Sequence, residues 1–425
     1  MSRHALVFFT LAISLPLPAV TSAENWPGWR GPRGDGTSLE SNIPTRWDGT
    51  TGQNISWKTP VPGRGYSSPI VWDDRVFLTS CLESNGERVL ICLDRISGKP
   101  LWQRTVITAP LEKKHRLNSF ASGTPVADGE LVYLTFLDPD FAAPAEVTPG
   151  DMVVAAYDFA GNQRWLVRPG RFASRHGYCT SPVLFKDKLI VNGDHDGESY
   201  IAALSRSDGR TLWRTMREHK TRSYVTPIIR QIDGRTQMIL SGSMCVASFD
   251  PHDGSRHWKI DGPTEQFVAS LVYNGELLFL TAGFPELHMM AIRPDGHGNV
   301  TDTHIVWRTT KGCSYVPSPI AAGEFFLVAS DGGIASCFDA ASGRRHWMER
   351  IGRHVSASLV SAGELVYFLD DDGITKLVRP GERFEQVADN PLGEYCFASP
   401  AISQGNLFIR SEAHLFCIGP QPASK

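Results

Sequence analysis

Most of the motifs that would commit this sequence to a particular chemistry are missing. Its eight cysteines include no adjacent pair, no Cys-x-x-Cys and no Cys-x-x-Cys-His, so neither a zinc ribbon nor a covalent haem attachment is written in it. No His-Glu-x-x-His, Gly-x-Ser-x-Gly elbow or phosphate-binding loop occurs, which removes the simplest metalloprotease, serine-hydrolase and nucleotide-hydrolase readings. Lys and Arg number 42 against 45 Asp and Glu, a formal net charge of −3. That leaves no basic surplus for nucleic acid and no acidic tail. The longest apolar run, ALVFFTLAISL at residues 5–15, is shorter than the roughly 18 residues a bilayer span needs. No low-complexity stretch and no second domain are evident.

What is present is a folded composition, 41% hydrophobic and 10% aromatic, with 39 glycines and 28 prolines marking dense turns. The turns follow one repeated unit, clearest at residues 316–347, VPSPIAAGEFFLVASDGGIASCFDAASGRRHW. Alternating and apolar runs separated by Gly323, Asp331-Gly332-Gly333 and Ser342-Gly343 spell a four-stranded antiparallel meander. Copies carry an Asp or Ser, a Gly four residues later and a Trp four after that, around Trp102, Trp213, Trp258 and Trp347, with a one-residue deletion before Trp165. Upstream of each copy a small hydroxyl residue precedes Pro or Leu: Ser68, Thr124, Ser181, Thr226, Ser270, Ser318, Ser358 and Ser399. Their spacing of 40 to 57 residues is that of a fixed unit with variable loops.

Eight openings predict eight blades. The last unit supplies three strands and stops, while residues 55–61, ISWKTPV, form a Trp-bearing strand with no unit before it. Pairing the two closes the ring and removes the free edges of an open array. The Trp series at 57, 102, 165, 213, 258, 307 and 347 then has one gap, in the seventh blade, where Phe384 is the expected substitute. The expected architecture is all-β: an eight-bladed propeller over 51–419, after an export signal at 1–23 and an extended arm at 24–50, and before a tail at 420–425. The arm, ENWPGWRGPRGDGTSLESNIPTRWDGT, should dock Trp26, Trp29 and Trp47 on the ring, with Arg33-Gly34-Asp35 as a structural turn. Small residues before the first Cys, at Thr21-Ser22-Ala23, fit signal cleavage into a periplasmic or secreted compartment without a lipid anchor.

The Asp-x-x-x-Gly-x-x-x-Trp unit resembles the repeat of pyrroloquinoline-quinone-like β-propellers, a group that includes quinoprotein alcohol dehydrogenases and the outer-membrane assembly propeller BamB. The string WPGWRGPRGDG resembles the head of exported propellers common in planctomycete-type bacteria. The resemblance covers about residues 54–419 and implies a fold more than a function, since the repeat serves both redox and binding proteins. For a dehydrogenase it would imply pyrroloquinoline quinone held with calcium by Glu, Asn and Asp, in many members beside an adjacent Cys pair. That pair and the long inserted loops are absent, so no cofactor is expected and the quinone with calcium is the alternative.

Candidate function gathers on the connections between blades, which share a face with the turns between second and third strands. They hold Arg64 and Tyr66; His115, Arg116 and Phe120; Arg175, His176 and Tyr178; His219, Arg222 and Tyr224; Tyr315; Arg353 and His354; and Tyr395. From these, Arg64, Tyr66, Arg175, His176, Tyr178, Arg222, Tyr224, Tyr315, His354 and Tyr395 are the candidate ligand-binding residues, suited to a small anionic ligand or a protein surface. Packing of Tyr beneath loops and solvation of Arg at the rim explain the same pattern without a ligand. The acidic turns, Asp194, Asp196 and Glu198 and then Asp370, Asp371 and Asp372, read either as hairpin turns or as calcium oxygens. Carboxylates from these turns could also pair for glycoside hydrolysis, at a separation the sequence does not set. No residue is assigned a catalytic or metal-ligating role. Cys92, Cys337 and Cys417 occupy a small core slot, and disulfides among Cys81, Cys179, Cys245, Cys313 and Cys396 stay open. The expected role is binding or scaffolding through the loop face, without catalysis; the alternative is a quinone-dependent dehydrogenase of alcohols or sugars.

Overall fold

The computed structural model describes residues 23–140 and 147–421. The signal read at 1–23 therefore lies, but for Ala23, outside the described residues, as do residues 422–425 of the tail. Eight antiparallel sheets follow one another at residues 70–108, 126–173, 183–216, 228–261, 272–309, 320–350, 360–391 and 401–418, here blades 1 to 8. Contacts of the first strand Ile70–Trp72 with Val126–Ala127 and Ala401–Ser403 place the first strands around a central channel. Blade 8 contributes Ala401–Ser403, Asn406–Arg410 and His414–Ile418, and its fourth strand is Ile55–Pro60, antiparallel, with Trp57 opposite Cys417. The ring closes by joining the two ends of the propeller, as the leftover strand requires.

Two blades gain a short parallel fifth strand. Thr37–Ser38 of the arm pairs with Val360–Ala362 in blade 7, and Gly298–Asn299 pairs with Arg256–Asp261 in blade 4.

The repeated Trp is explained by what it touches in the next blade. The indole N–H of Trp57 donates to the Arg95 carbonyl at 2.9 Å, that of Trp102 to Phe159 at 3.0 Å, and that of Trp165 to Arg206 at 2.9 Å. Trp213, Trp307 and Trp347 reach Pro251, Ala340 and Gly381 in the same way. The rings of Trp57, Trp102, Trp165, Trp213 and Trp307 also lie against the turn glycine that the sequence repeats, Gly98, Gly161, Gly209, Gly254 and Gly343. At Gly343, where φ is 70°, an added Cβ would sit 2.6 Å from Trp307. Only glycine meets both the backbone and the steric demand. The Asp of the motif ties the same turn: Asp339 accepts the backbone N–H of Ser342 at 2.8 Å and its hydroxyl, and these bonds hold its carboxyl below the ordinary range. Opposite each Trp sits the small slot, filled by Cys92, Cys337 and Cys417 among others. All eight thiols are free.

Blade 4 varies the lock. Trp258, fully buried, donates to the Gln237 side chain at 2.8 Å, and Gln237 in turn donates to the Pro294 carbonyl of blade 5 at 2.9 Å. One amide relays the indole to the next turn.

In blade 7 the expectation of Phe384 fails. The register sets Ala388 opposite Leu377, so the large and small partners have exchanged places, and Phe384 instead stands edge-on to Trp347 at 5.1 Å. The missing indole comes from the arm. Trp47, 2% exposed, stacks on Tyr367 with centroids 6.5 Å apart and belongs to the core cluster of Leu377, Ala388, Leu407 and Phe416. Its backbone N–H donates to Asn390, and Pro44 lies where a Cβ on Gly419, the turn glycine of blade 8, would approach to 2.7 Å.

The arm also closes one end of the channel. Trp26 pairs with Val71 of blade 1, Glu40 accepts the backbone N–H groups of Gln404 and Gly405 in blade 8, and Asp35 pairs with Arg230 of blade 4 at 2.9 Å. Arg30, 2% exposed, donates to the Ser318, Pro319, Leu359 and Asp35 carbonyls; burial lowers its pKa to about 10. Arg33 is held bidentately by Glu24 at 2.7 and 2.8 Å, so with Asp35 on Arg230 both charges of the Arg-Gly-Asp string are taken up by residues outside it.

Removing a buried indole costs about 3–5 kcal/mol. Trp47→Ala should therefore lower the thermal midpoint well below that of Phe384→Ala, whose ring is half-buried. Scanning calorimetry of both variants checks this, and equal losses would show that Phe384 shares the slot.

Candidate functional site

Because the arm blocks one end, the channel is blind, and a cavity of ≈ 470 Å³ opens on the face of the blade connections. Trp29 of the arm forms part of its lining and is anchored by its indole N–H on the Ser270 hydroxyl at 3.2 Å. Around it runs a belt of the hydroxyl residues that open the blades. The backbone N–H of Ser68 donates to the Thr124 hydroxyl, Thr124 to Ser181, Ser270 to Ser318, Ser318 to Ser358 and Ser358 to Ser399, all at 2.9 to 3.0 Å. The repeated small polar residue is thus a link from one blade to the next, and Ser181, Thr226, Ser358 and Ser399 also face the cavity. Sequence reasoning took them only as strand openings.

Six of the ten candidate residues meet in the cavity wall: Tyr66, Arg175, His176, Arg222, Tyr224 and Tyr315. Tyr66 packs on Phe397 with centroids 4.8 Å apart, and the Tyr224 hydroxyl is 2.5 Å from that of Ser174. Tyr315 donates to Gln266 at 3.1 Å, and burial raises its pKa to about 12. The His176 ring stands 5.8 Å from His115, also in the wall, and 6.4 Å from Tyr224. Burial first, then the charges of Arg222 and His115, lowers its pKa. The imidazole is accordingly neutral at physiological pH.

The other four lie outside that wall. Arg64 is exposed and paired with Glu412 at 2.7 Å, and Tyr395 stands 58% exposed. His354 is held by Asp371 at 2.5 Å. Tyr178 is buried under the loops, edge-on to Phe172 at 4.8 Å. Residues that the sequence did not single out, Asn118, Gln266, Asp331, Phe284 and Phe397, complete the lining.

The acidic turns fasten the connections. Asp331 accepts the backbone N–H groups of Tyr315 at 2.9 Å and Val316 at 3.1 Å. Asp371 accepts from Ser356 at 2.8 Å, and Asp194 pairs with Arg217 at 3.0 Å. Asp196 takes both Arg222 at 2.6 Å and the Arg175 N–H at 3.1 Å, binding two successive connections together. A wall fixed this way is preorganised for a ligand. No three His, Cys, Asp or Glu side chains among the described residues converge as metal ligands.

The sequence pattern of the family described as Outer membrane protein assembly factor BamB matches residues 44–143, 85–278 and 299–380. The chain belongs to this family. No curated protein sequence matches it significantly. Among solved structures it resembles BamB from Moraxella catarrhalis, with a TM-score of 0.59 at 12% identity over 87% of this chain and 98% of that one. It equally resembles a europium-containing methanol dehydrogenase, with a TM-score of 0.60 at 12% identity over 91% and 89%. The quinohemoprotein alcohol dehydrogenase from Comamonas testosteroni gives 0.62 at 11% over 96% and 82%. At such identities the likeness is one of fold.

The dehydrogenase neighbours raise the question of a quinone with calcium in this BamB-family chain. Calcium takes six to eight oxygen donors, usually with several carboxylates. The cavity wall offers one carboxylate, Asp331, and both its oxygens already accept backbone N–H groups. The residues present do not fit the calcium-held form of that cofactor.

Burial raises the carboxyls of two acidic turns, Asp331 and Asp370; at Asp370 burial, with the charges of Asp372 and Asp371, raises the pKa to about 6 against the hydrogen bond it accepts from Ile374. The folded chain holds this proton more tightly than the unfolded chain, where the group ionises near 3.8. Stability from this group is therefore present below about pH 4 and lost as pH rises through 6, by about 1–2 kcal/mol after solvent screening. Asp370→Asn should raise the thermal midpoint by a few degrees at about pH 7.5 and leave it unchanged near pH 4. Scanning fluorimetry at the two pH values reads the difference, and an equal shift at both would contradict the raised pKa.

Proposed function

We propose that this chain is an exported binding propeller that takes an anionic group, from a small ligand or a partner protein, into its mouth cavity without making or breaking bonds. The observation that carries the reading is the wall itself: Arg175, Arg222, His115 and His176 on one side, tyrosines and hydroxyls around them, and one carboxylate already committed. Guanidinium groups give bidentate donors to a carboxylate, and the aromatic remainder gives flat apolar area. Among the described residues of the wall no nucleophile is paired with an imidazole base. Neither imidazole is hydrogen-bonded to a carboxylate or hydroxyl, and burial pushes the Cys179 thiol up to about 12, leaving it protonated. The leader-like N-terminus and the family description support a scaffold of the cell envelope, serving the assembly of outer-membrane proteins.

A second reading, a quinone-dependent dehydrogenase of alcohols or sugars, rests on the same cationic wall, which would suit an acidic quinone. Titrating the protein with pyrroloquinoline quinone and with simpler aromatic carboxylates separates the two, by calorimetry with and without calcium and by dye reduction over alcohols and sugars. The binding reading expects affinity independent of calcium, no dye reduction, and at least a tenfold loss in Arg175→Ala with His176→Ala at an unchanged thermal midpoint. Calcium-dependent binding with turnover would establish the dehydrogenase instead.

A further inference from the structure

A second groove, of ≈ 440 Å³, lies on the rim between blades 4 and 5. Its walls are His219 from the connection before blade 4, Met244 from that blade's hairpin, residues 261–265 from the connection to blade 5, and Pro285 and Glu286 from the blade 5 hairpin. Its charge is opposite to that of the cavity. Asp261, Glu265 and Glu286 line it, and no Lys or Arg does. Asp261 is shared with Lys259 at 2.9 Å and Glu286 with His288 at 3.4 Å, while the Glu265 backbone N–H donates to Phe284 at 3.2 Å and its carboxylate makes no hydrogen bond or ion pair among the described residues.

The same rim exposes an unusual amount of apolar surface. Met244 is 42% exposed, Leu287 43% and Phe284 50%, beside Pro263 and Pro285. Large apolar side chains gathered at a groove mark an interaction site more often than isolated ones do. The backbone beneath is fixed: the N–H of Gly262 donates to Met244 at 2.8 Å, Gln266 to Phe284 at 2.9 Å, and the Thr264 hydroxyl to Phe284 at 2.7 Å. A partner would meet a shaped surface without having to order it.

We propose that this groove docks an extended polypeptide segment of a partner protein in which apolar residues alternate with lysine or arginine. Apolar side chains cover Met244, Leu287 and the two prolines, and the interleaved cations meet Glu265 and Glu286. The proposal rests on the reading of this face as a binding surface, but it uses a site separate from the mouth cavity.

The test uses two fluorescein-labelled ten-residue peptides, one alternating Val with Lys and the other Val with Glu, titrated by anisotropy at about 50 mM and about 300 mM salt. The Lys peptide should bind the wild type and weaken with salt, and the Glu peptide should not bind. Glu265→Lys with Glu286→Lys should weaken the Lys peptide about tenfold or more, as should Met244→Ser with Leu287→Ser, at unchanged thermal midpoints. Arg175→Ala with His176→Ala should leave it unaffected. Absence of binding by the Lys peptide, equal binding of both peptides, or indifference to the two groove variants overturns the proposal. Loss of peptide binding in the cavity variant alone would move the segment into the mouth, sinking the groove while leaving the binding reading of the face intact. Peptide binding with no anionic ligand for the cavity would do the reverse.

Discussion

No blade of this ring can bury its outer indole by itself. Each outer Trp gives its N–H to a carbonyl of the following blade's turn, or in blade 4 to the glutamine that relays it, and five of them lie on the turn glycine itself. A free end of the array would leave one indole facing water and one turn uncovered, so the stable arrangement is closed. Closure through Ile55–Pro60 makes the first and last blades depend on residues more than three hundred positions apart. The inner hydroxyl belt repeats the same logic near the axis, one blade's backbone N–H satisfied by the next blade's side chain.

A ring held at both its outer turns and its inner strands leaves the connections free to vary in length, and function can be built on them without disturbing the lock. The arm adds the other requirement of a site, a floor. It places Arg30 against the entries to blades 6 and 7, surrounded by carbonyl oxygens from Ser318, Pro319 and Leu359 and from its own Asp35. A lone buried cation is costly unless hydrogen-bonded. Here main-chain dipoles of several segments converge to supply those bonds, so the plug is specific to this ring.

The repeat, the number of blades and their closure were legible because they rest on short-range pattern: a turn glycine, a Trp four residues on, an opening hydroxyl. Where a contact jumps outside the unit, pattern reading failed. The seventh blade shows this most clearly, since Phe384 is the only aromatic near the expected place in sequence, while the indole that fills the space is Trp47 from the arm. The cavity was half legible for the same reason. Residue type marked all ten candidates alike, but Glu412 draws Arg64 away, Asp371 holds His354, and Tyr178 turns under the loops. Partners on other blades decided these cases, and no local spacing encodes them. The hydroxyl openings carried a signal that was available: eight small polar residues at one structural position invite the question of what their side chains bond.

The near-neutral total of −3 conceals a separation of charge on one face. The guanidinium groups of Arg175 and Arg222 stand in the mouth, and carboxylates gather in the groove beside it, with the ridge of Phe284 and Pro285 between them. Screening over about 8 Å at physiological salt keeps either field from reaching far past its own walls. Recognition by such a face depends on the order in which charges and apolar groups are presented rather than on net charge. On the binding reading proposed above, that discrimination needs no chemical step.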